Sequence, residues 1–591
     1  MREFATRDLA VVSESETTTH APARRAAQSP GHVMVRRRGL AGWSDVTAGE
    51  FHAATLRLAR GLVAAGLQPG DRVALLSKTR YEWTLLDYAI WYAAAVSVPV
   101  YPTASGEQLS CIVRNSSPVA AFAETAQDLA RLRSAGVPAD RVWTIDDGRL
   151  DRLAERGSEV ADEEIASRMA GQRASDPATI VYTSGTTGAM KGCTLTHRNL
   201  LAVARNTIAS IPEIFGQSGT STVLCLPLAH SFTRFIQVTA IESGTALGHV
   251  PDPASAVAEL SAFRPTFLPA VPRMLQKIHD MAVRIAAAEG REEAFRKASE
   301  VAVDYSRALS SGEVDATLKA KHAMMDELIY GRLRETVGGA RFAVSGAAPL
   351  GEWLAHFYRG IGITVLEGYG LTETTAPVAA NVPSQVRPGT VGRPVPGCTL
   401  RVADDGEVFV RGPSVFSGYW EDEEATKEVF TEGGWLRTGD LGSLDADGFL
   451  TITGRSKNII VTASGKNVAP EPLEERIMAH PLVGHCVVVG EGRPFVACLV
   501  TLDDEATRSW LSRQGGAPGG AMQADPAVIA EVERAVNEAN ATVSEAEAIK
   551  KVLILGSDLS EASGHLTPSL KVRRAAVVRD FAAELDELYG G

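Results

Sequence analysis

The chain reads as an α/β protein: a large N-terminal domain built of α/β subdomains with mostly parallel sheets plus a small β-barrel, then a smaller α+β C-terminal domain. Three observations predict this. From Val46 onward, apolar residues at helical spacing alternate with short apolar runs, the pattern of a mostly parallel sheet flanked by helices. Between Gly389 and Gly454 the chain turns β-rich and turn-punctuated. And 591 residues exceed what one hydrophobic core holds.

The elements follow in order. Residues up to about Gly31 are polar and rich in Ser, Thr and Ala, so 1–31 is expected as a loosely held arm. Phe51 to Leu62 has helical spacing, Gly66 to Asp71 is a turn, and Arg72 to Ser77 is a strand. A helix over Tyr81 to Ala95 leads to a strand at Val96 to Tyr101. Strands follow at Val119 to Ala123 and Val142 to Ile145. Val223 to Leu228 is a buried strand running into Pro227-Leu228-Ala229-His230-Ser231-Phe232. The stretch 273–336 is a charged helical excursion whose Met274, Ile278, Met281 and Ile285 share one face, expected to cover the main sheet or to make a dimer contact. Arg341 to Pro349 and Thr364 to Leu366 are strands that run into glycine-rich turns. A break near Gly454 opens the last unit, in which Gly515 to Gly520 is a surface loop.

Composition bounds the function. A net charge of −12 argues against general affinity for nucleic acid or anionic membranes. The six cysteines form no CxxC pair or metal spacing, which fits a reducing cytoplasm without structural zinc. Met1 to Phe4 lacks the apolar core of a signal peptide, and the apolar run Leu85 to Val100 is broken by Asp87 and Pro99.

Four stretches carry chemistry. Thr183-Ser184-Gly185-Thr186-Thr187-Gly188-Ala189-Met190-Lys191 follows the β-prone run Ala178 to Tyr182 and precedes the helical pattern from Leu200. Strand, hydroxyl-rich loop and helix would suit polyphosphate: small residues let N–H groups approach, and one lysine adds charge. It is not a Walker A loop, because Met190 and Gly192 stand where a glycine and a Ser/Thr are required. By itself such a loop is as readily a solvated turn. In Gly368-Tyr369-Gly370-Leu371-Thr372-Glu373, a tyrosine can stack on a purine, Thr372 can donate to phosphate, and Glu373 can hold Mg²⁺; the plain alternative is a helix start capped by Thr372. Thr438-Gly439-Asp440 ends a strand with a carboxylate able to bridge two ribose hydroxyls, although Gly-Asp is commonly just a turn. Leu566-Thr567-Pro568-Ser569-Leu570-Lys571 opens a basic run, which alone reads as a solvated face.

Together with Gly454-Arg455, these motifs resemble the adenylate-forming superfamily of acyl-CoA synthetases, adenylation domains and firefly-type luciferases, in one order from Val46 to the C-terminus. Leu226 to Phe232, the excursion after Arg273 and Leu566 to Lys571 are most similar to long-chain fatty-acid–CoA ligases. The resemblance implies ATP, Mg²⁺ and coenzyme A, with a fatty acid as substrate: acyl-AMP and pyrophosphate form first, then acyl-CoA and AMP. It implies an adenylation domain over 1–454 and a mobile lid over 455–591. Thr183, Ser184, Gly185, Thr186, Thr187, Gly188 and Lys191 would hold the β- and γ-phosphates. Ser345, Gly346 and Ala347 would line one side of the adenine, with Tyr369 and Gly370 on the other. Glu373, with Thr186, would ligate Mg²⁺. Asp440 would bind the ribose hydroxyls and Arg455 would support ribose or phosphate, Lys457 would be the hinge, and the loop at Gly465 would meet the pantetheine of coenzyme A. The catalytic set would be Lys571, Glu373, Thr372 and His230.

Ser231 to Ala240 contains no acid, which disfavours an amino-acid substrate, and the small and apolar residues there with Ile363 and Leu366 suit an alkyl tunnel. Thr233-Arg234-Phe235 stands where some bacterial relatives carry a tryptophan gate. A soluble cytoplasmic enzyme follows, with peripheral membrane contact and a homodimer both compatible. An acyl-AMP ligase serving a carrier protein, and a non-catalytic nucleotide- or lipid-binding relative, are the alternatives.

Overall fold

The computed structural model describes residues 2–184, 190–252, 255–514, 521–567 and 571–590. Gly185, Thr186, Thr187 and Gly188 of the expected phosphate loop, the Gly515 to Gly520 loop and Pro568 to Leu570 therefore lie outside the described residues, as does the side chain of Ser184. Two compact units divide the chain: Met1–Arg401, Phe409–Thr438 and Leu444–Leu450 in the first, Val402–Val408, Gly439–Ser443 and Thr451–Gly591 in the second.

Among the described residues, three sheets lie wholly within the first unit. The largest has seven strands, in the order Gly418–Tyr419, Met190–Thr196, Pro177–Ser184, Val96–Val100, Arg72–Leu76, Ala120–Ala123 and Val142–Thr144. From Pro177–Ser184 to Val142–Thr144 the pairing is parallel, and the first two strands join antiparallel at the edge. The Tyr81–Tyr92 helix is buried from Trp83 to Tyr92, so it is apolar all round rather than along one stripe. A second sheet pairs Ser221–Leu224, Ala246–His249 and Val33–Gly39 in parallel, with Gly42–Thr47 antiparallel at the end. In the third, Phe267–Ala270, Phe342–Ser345 and Thr364–Leu371 run parallel and Ala376–Ala380 turns back antiparallel.

Three expectations need correction. The N-terminal residues are not a loosely held arm: Arg2–Ala5 is a strand, His20–Gln28 a helix, and Thr17, Thr18 and Thr19 are buried. Polar composition misled, because the Thr18 hydroxyl finds His197 Nδ1 at 2.9 Å and the Leu9 N–H donates to Asn206 Oδ1. The strand expected over Val223 to Leu228 stops at Leu224, where Pro227 forces a turn. The excursion is helical as expected (Pro272–Ala288, Glu292–Ser311, Ala316–Met325, Gly331–Thr336), but its inward stripe is Leu275 and Ile278, whereas Ile285 is 53% exposed. That stripe packs with Phe295, Ala302 and Val365 over the third sheet.

In the second unit, Val483–Val489 and Val496–Leu502 pair antiparallel and Ile549–Ile554 joins in parallel. Alternate residues serve two cores: Cys486, Val488, Cys498 and Val500 face one, while Val487, Val489, Ala497 and Leu499 face the other. The period of two is why every residue of the first two strands is buried.

Candidate active site

In the first unit, the phosphate-loop expectation is revised first. Pro177–Ser184 and Met190–Thr196 are antiparallel neighbours with Thr183 opposite Lys191, so the loop joins two strands instead of a strand and a helix. The helix begins only at His197, capped by Thr196, whose hydroxyl accepts from the Asn199 N–H. β-branched Thr194 and Thr196 and buried Cys193 and Leu195 continue a strand where a lead into the helical pattern from Leu200 is expected.

Gly418–Tyr419 pairs on the outer side of this hairpin, with Tyr419 opposite Cys193. The Lys191 ammonium stands 5.0 Å from the centroid of the Tyr419 ring. The Tyr419 hydroxyl donates to Glu373 Oε1 at 2.8 Å, and the Phe416 N–H donates to the Glu373 carbonyl at 2.8 Å. Burial, then the Glu373 charge, holds the Tyr419 phenol well above its usual range, so it stays a donor.

Glu373 is delivered by Thr364–Leu371, which runs straight through Glu367, Gly368, Tyr369 and Gly370 into a 3₁₀ turn at Thr372–Thr374. The expected glycine-rich turn after Leu366 is thus strand, with a register shift between Tyr369 and Gly370. Gly370 is obligatory there, since a Cβ would lie 1.8 Å from the Ala376 carbonyl oxygen. Thr374 pins the turn: its hydroxyl accepts from the Leu371 N–H and donates to the Ala376 carbonyl. Thr375 and Ala376 follow at φ +58° and +88°, and Ala347 at φ +72°, so left-handed backbone without glycine gathers around these segments.

Thr372 Oγ1 is 3.3 Å from Ser231 Oγ, the first residue of the Ser231–Ser243 helix. His230 caps that helix, its Nδ1 accepting the Phe232 N–H at 3.2 Å, which leaves Nε2 to carry the proton in the neutral ring. The helix is buried from Ser231 to Glu242. Arg234, 1% exposed, meets Asp87 at 3.1 Å and lies over the Trp83 and Trp91 rings. Gln237 also donates to Asp87. Burial pushes the Asp87 carboxyl up and Arg234 pulls it back, so the residue at the gate position is a core clamp.

Ser345 pairs in register with Glu367. Ser345 Oγ is buried with no hydrogen-bond partner among the described residues. Gly346 is buried against the Gly368 carbonyl. Glu367, 8% exposed, is pushed up to about 7 by burial, opposed only by the Leu350 N–H at 3.4 Å. Neither Tyr419 nor Glu367 was singled out from sequence. Glu367 could have been found as a carboxylate inside an otherwise apolar strand; Tyr419 depends on strand pairing that no local pattern reports.

The second unit carries the other expected residues. Asp440, 4% exposed at its side chain, accepts from Arg455 Nε at 2.8 Å. Lys457 lies in the Ser456–Asn458 3₁₀ turn, and the Ser456 hydroxyl donates to the Gly439 carbonyl. Gly465, at φ +79°, turns the hairpin between Ile460–Val461 and Asn467–Val468, its N–H bonded to the Thr462 carbonyl. Lys571 is exposed; its N–H donates to Thr567 Oγ1 and its carbonyl accepts from the Thr567 N–H.

Metal fit is tested on the donor set. Among the described residues no group of three His, Cys, Asp or Glu could hold a metal ion. Glu373 offers one carboxylate, half-buried, with one oxygen engaged by Tyr419. That set fits Mg²⁺, which takes one or two carboxylates and completes its shell with phosphate oxygens and water.

Residues 22–420 match a family model described as AMP-binding enzyme, and 457–591 match one described as AMP-binding enzyme C-terminal domain. The chain is 44% identical over 600 residues to the long-chain-fatty-acid–CoA ligase FadD15 of Mycobacterium tuberculosis, covering 100% of both. It is 30% identical to the peroxisomal long chain acyl-CoA synthetase 6 of Arabidopsis thaliana, over 94% of this chain and 83% of that one. Its fold is similar to that of O-succinylbenzoate coenzyme A synthetase from Bacillus subtilis in complex with ATP and magnesium ion, with a TM-score of 0.69 at 20% identity, covering 94% and 98%.

Proposed function

Because the chain belongs to the AMP-binding enzyme family, we propose that its two-step chemistry is run by the residues gathered around Lys191, Tyr419, Glu373 and Thr372. The enzyme is an ATP-dependent long-chain fatty-acid–CoA ligase, forming acyl-AMP and then acyl-CoA. In the first step a carboxylate oxygen bonds to the α-phosphorus as the bond to the β-phosphoryl oxygen breaks, releasing pyrophosphate. In the second the coenzyme A thiol sulfur bonds to the acyl carbon and AMP departs. Adenylation is needed because a carboxylate oxygen is a poor leaving group.

The observation that carries the site reading is that one tyrosine touches both the lysine of the hairpin and the carboxylate of the 3₁₀ turn. Lys191 and Thr183 would bind the β- and γ-phosphates, together with Ser184, Gly185, Thr186, Thr187 and Gly188. Thr372 and His230, brought together through Ser231, would face the α-phosphate and the acyl carboxylate. Glu373 would hold Mg²⁺, which supplies charge neutralisation across the phosphates when bound. Ser345, Gly346, Ala347, Tyr369 and Gly370 would form the adenine slot, for which the buried, unpartnered Ser345 hydroxyl is support. The Asp440–Arg455 pair would receive the ribose. Residues 455–591 would act as a lid turning about Lys457, presenting Lys571 in the first step and the Gly465 loop to coenzyme A in the second; the separate family match over 457–591 supports this. A cytoplasmic location belongs to the same reading, supported by six unpaired cysteines.

Pyrophosphate exchange into ATP that requires palmitate, followed by acyl-CoA release on adding coenzyme A, is the expected result. Accumulation of acyl-AMP despite coenzyme A would point to a carrier-protein acceptor. Absence of exchange with any fatty acid would overturn the reading.

A further inference from the structure

We propose that Tyr419 is a positioning residue for adenylation, its hydroxyl aiming the Glu373 carboxylate and its ring face seating the Lys191 ammonium. The inference rests on the ATP-site reading above and deepens it. Glu373 sits in a one-turn 3₁₀ segment, and a glutamate side chain has several rotatable torsions of its own. The phenol at 2.8 Å on Oε1 removes that freedom and leaves Oε2 as the oxygen to meet a cation. The other end of the arrangement is Lys191, 5.0 Å from the ring centroid, within cation–π range.

The ring itself is rigidly held. Tyr419 is strand-paired to Cys193 on the same hairpin that bears Lys191. It packs edge-on against Phe416 at 5.0 Å, and the Tyr419 N–H donates to Thr426 Oγ1. Phe416 in turn holds the backbone of Glu373. Hairpin, tyrosine and 3₁₀ turn are thus cross-linked, and a displacement of the lysine is transmitted to the carboxylate through one side chain. Two charges of opposite sign thus engage different parts of one residue, the ammonium its ring face and the carboxylate its hydroxyl.

Tyr419→Phe keeps the ring and its packing and removes only the hydroxyl. A hydrogen bond to an ionised group is worth on the order of tenfold or more in an equilibrium constant. Mn²⁺ binding to the full-length enzyme with a non-hydrolysable ATP analogue, read by electron paramagnetic resonance, is expected to weaken about tenfold in Y419F. The Mg²⁺ concentration for half-maximal pyrophosphate exchange should rise equally, while the fatty-acid KM stays as in the parent. Tyr419→Leu, which also deletes the ring, should add a rise in the ATP KM at saturating Mg²⁺. Melting temperatures verify folding, and if Y419L fails to fold the Y419F measurement decides alone. Glu373→Gln separates the two readings: E373Q that loses Mn²⁺ while Y419F binds as the parent does overturns the role of Tyr419 only. E373Q that binds Mn²⁺ normally overturns the metal assignment and this proposal with it.

Discussion

Glu367→Gln tests the electrostatics of the strand that carries the proposed adenine slot. The carboxyl of Glu367 is almost fully buried, touched by one N–H at 3.4 Å, and pushed from 4.5 up to about 7. The sign follows from proton binding. The folded state holds this proton more tightly than the unfolded chain, so folding is favoured most below pH 4.5. Stability is lost as pH rises from 4.5 to about 7, and no further change comes above that. At about 1.4 kcal/mol for each tenfold change in proton affinity, the interval amounts to roughly 3 kcal/mol. Glutamine keeps an acceptor for the Leu350 N–H and cannot ionise. The variant should therefore differ from the parent by a constant amount near pH 4.5 and gain on it progressively, by about 2–3 kcal/mol, between there and pH 8. Urea unfolding of the ligand-free enzyme, followed by tryptophan fluorescence across that pH range, measures the difference. A gap that does not change with pH, or one in which the parent gains as pH rises, would refute the reasoning.

Lys571→Ala should slow acyl-AMP formation by about three decades, since a cation about 4 Å from developing charge is worth roughly 4 kcal/mol. Thioester formation from supplied acyl-AMP should be spared; equal loss in both half-reactions, each followed by rapid quench, would sink the assignment. Arg234→Ala leaves Asp87 buried without its cation and should cost about 3–5 kcal/mol in urea unfolding, whereas a variant as stable as the parent would show that the pair is not ionised. Gly370→Ala forces a Cβ to 1.8 Å from the Ala376 oxygen; displacing the 3₁₀ turn should cost about 1–3 kcal/mol and raise the ATP KM, and an unchanged KM would count against this turn as part of the nucleotide site.

The α/β alternation was legible because parallel strands are short apolar runs separated by helical spacing, and Arg72–Leu76, Val96–Val100 and Val142–Thr144 fall where that pattern puts them. Around Gly370 and Glu373 the backbone is unusual, with no room for a Cβ at Gly370 and positive φ at Thr375 and Ala376. What failed was whatever depends on a distant partner. Thr17 to Thr19 looked like solvated residues because their burial rests on His197 and surrounding core. Cys193-Thr194-Leu195-Thr196 was passed over as a lead into a helix, although its alternation is that of a strand closed by an N-cap. Arg234 stands out in the sequence only as a departure from a tryptophan gate, because its burial rests on Asp87 from another helix.

The hairpin revision bears on how phosphate is recognised. In a strand–loop–helix cradle the helix terminus supplies N–H groups and a favourable dipole. Here the Met190–Thr196 strand separates Lys191 from the helix at His197, so that contribution is displaced from the lysine end of the loop. With a net charge of −12, the global field opposes a polyanion as well. Phosphate binding under the proposed reading then rests on local donors held in fixed geometry, and fixed geometry is what the segments around Glu373 provide: a turn pinned by Thr374, a glycine with no room for a Cβ, and left-handed backbone at Ala347, Thr375 and Ala376. Strain of that kind costs about 1–3 kcal/mol per residue and persists only where surrounding packing over-determines it. Its concentration beside Glu373 and Thr372, which under the proposed reading face the nucleotide, is the physical reason to assign preorganisation, and not the global field, as the source of affinity for the triphosphate.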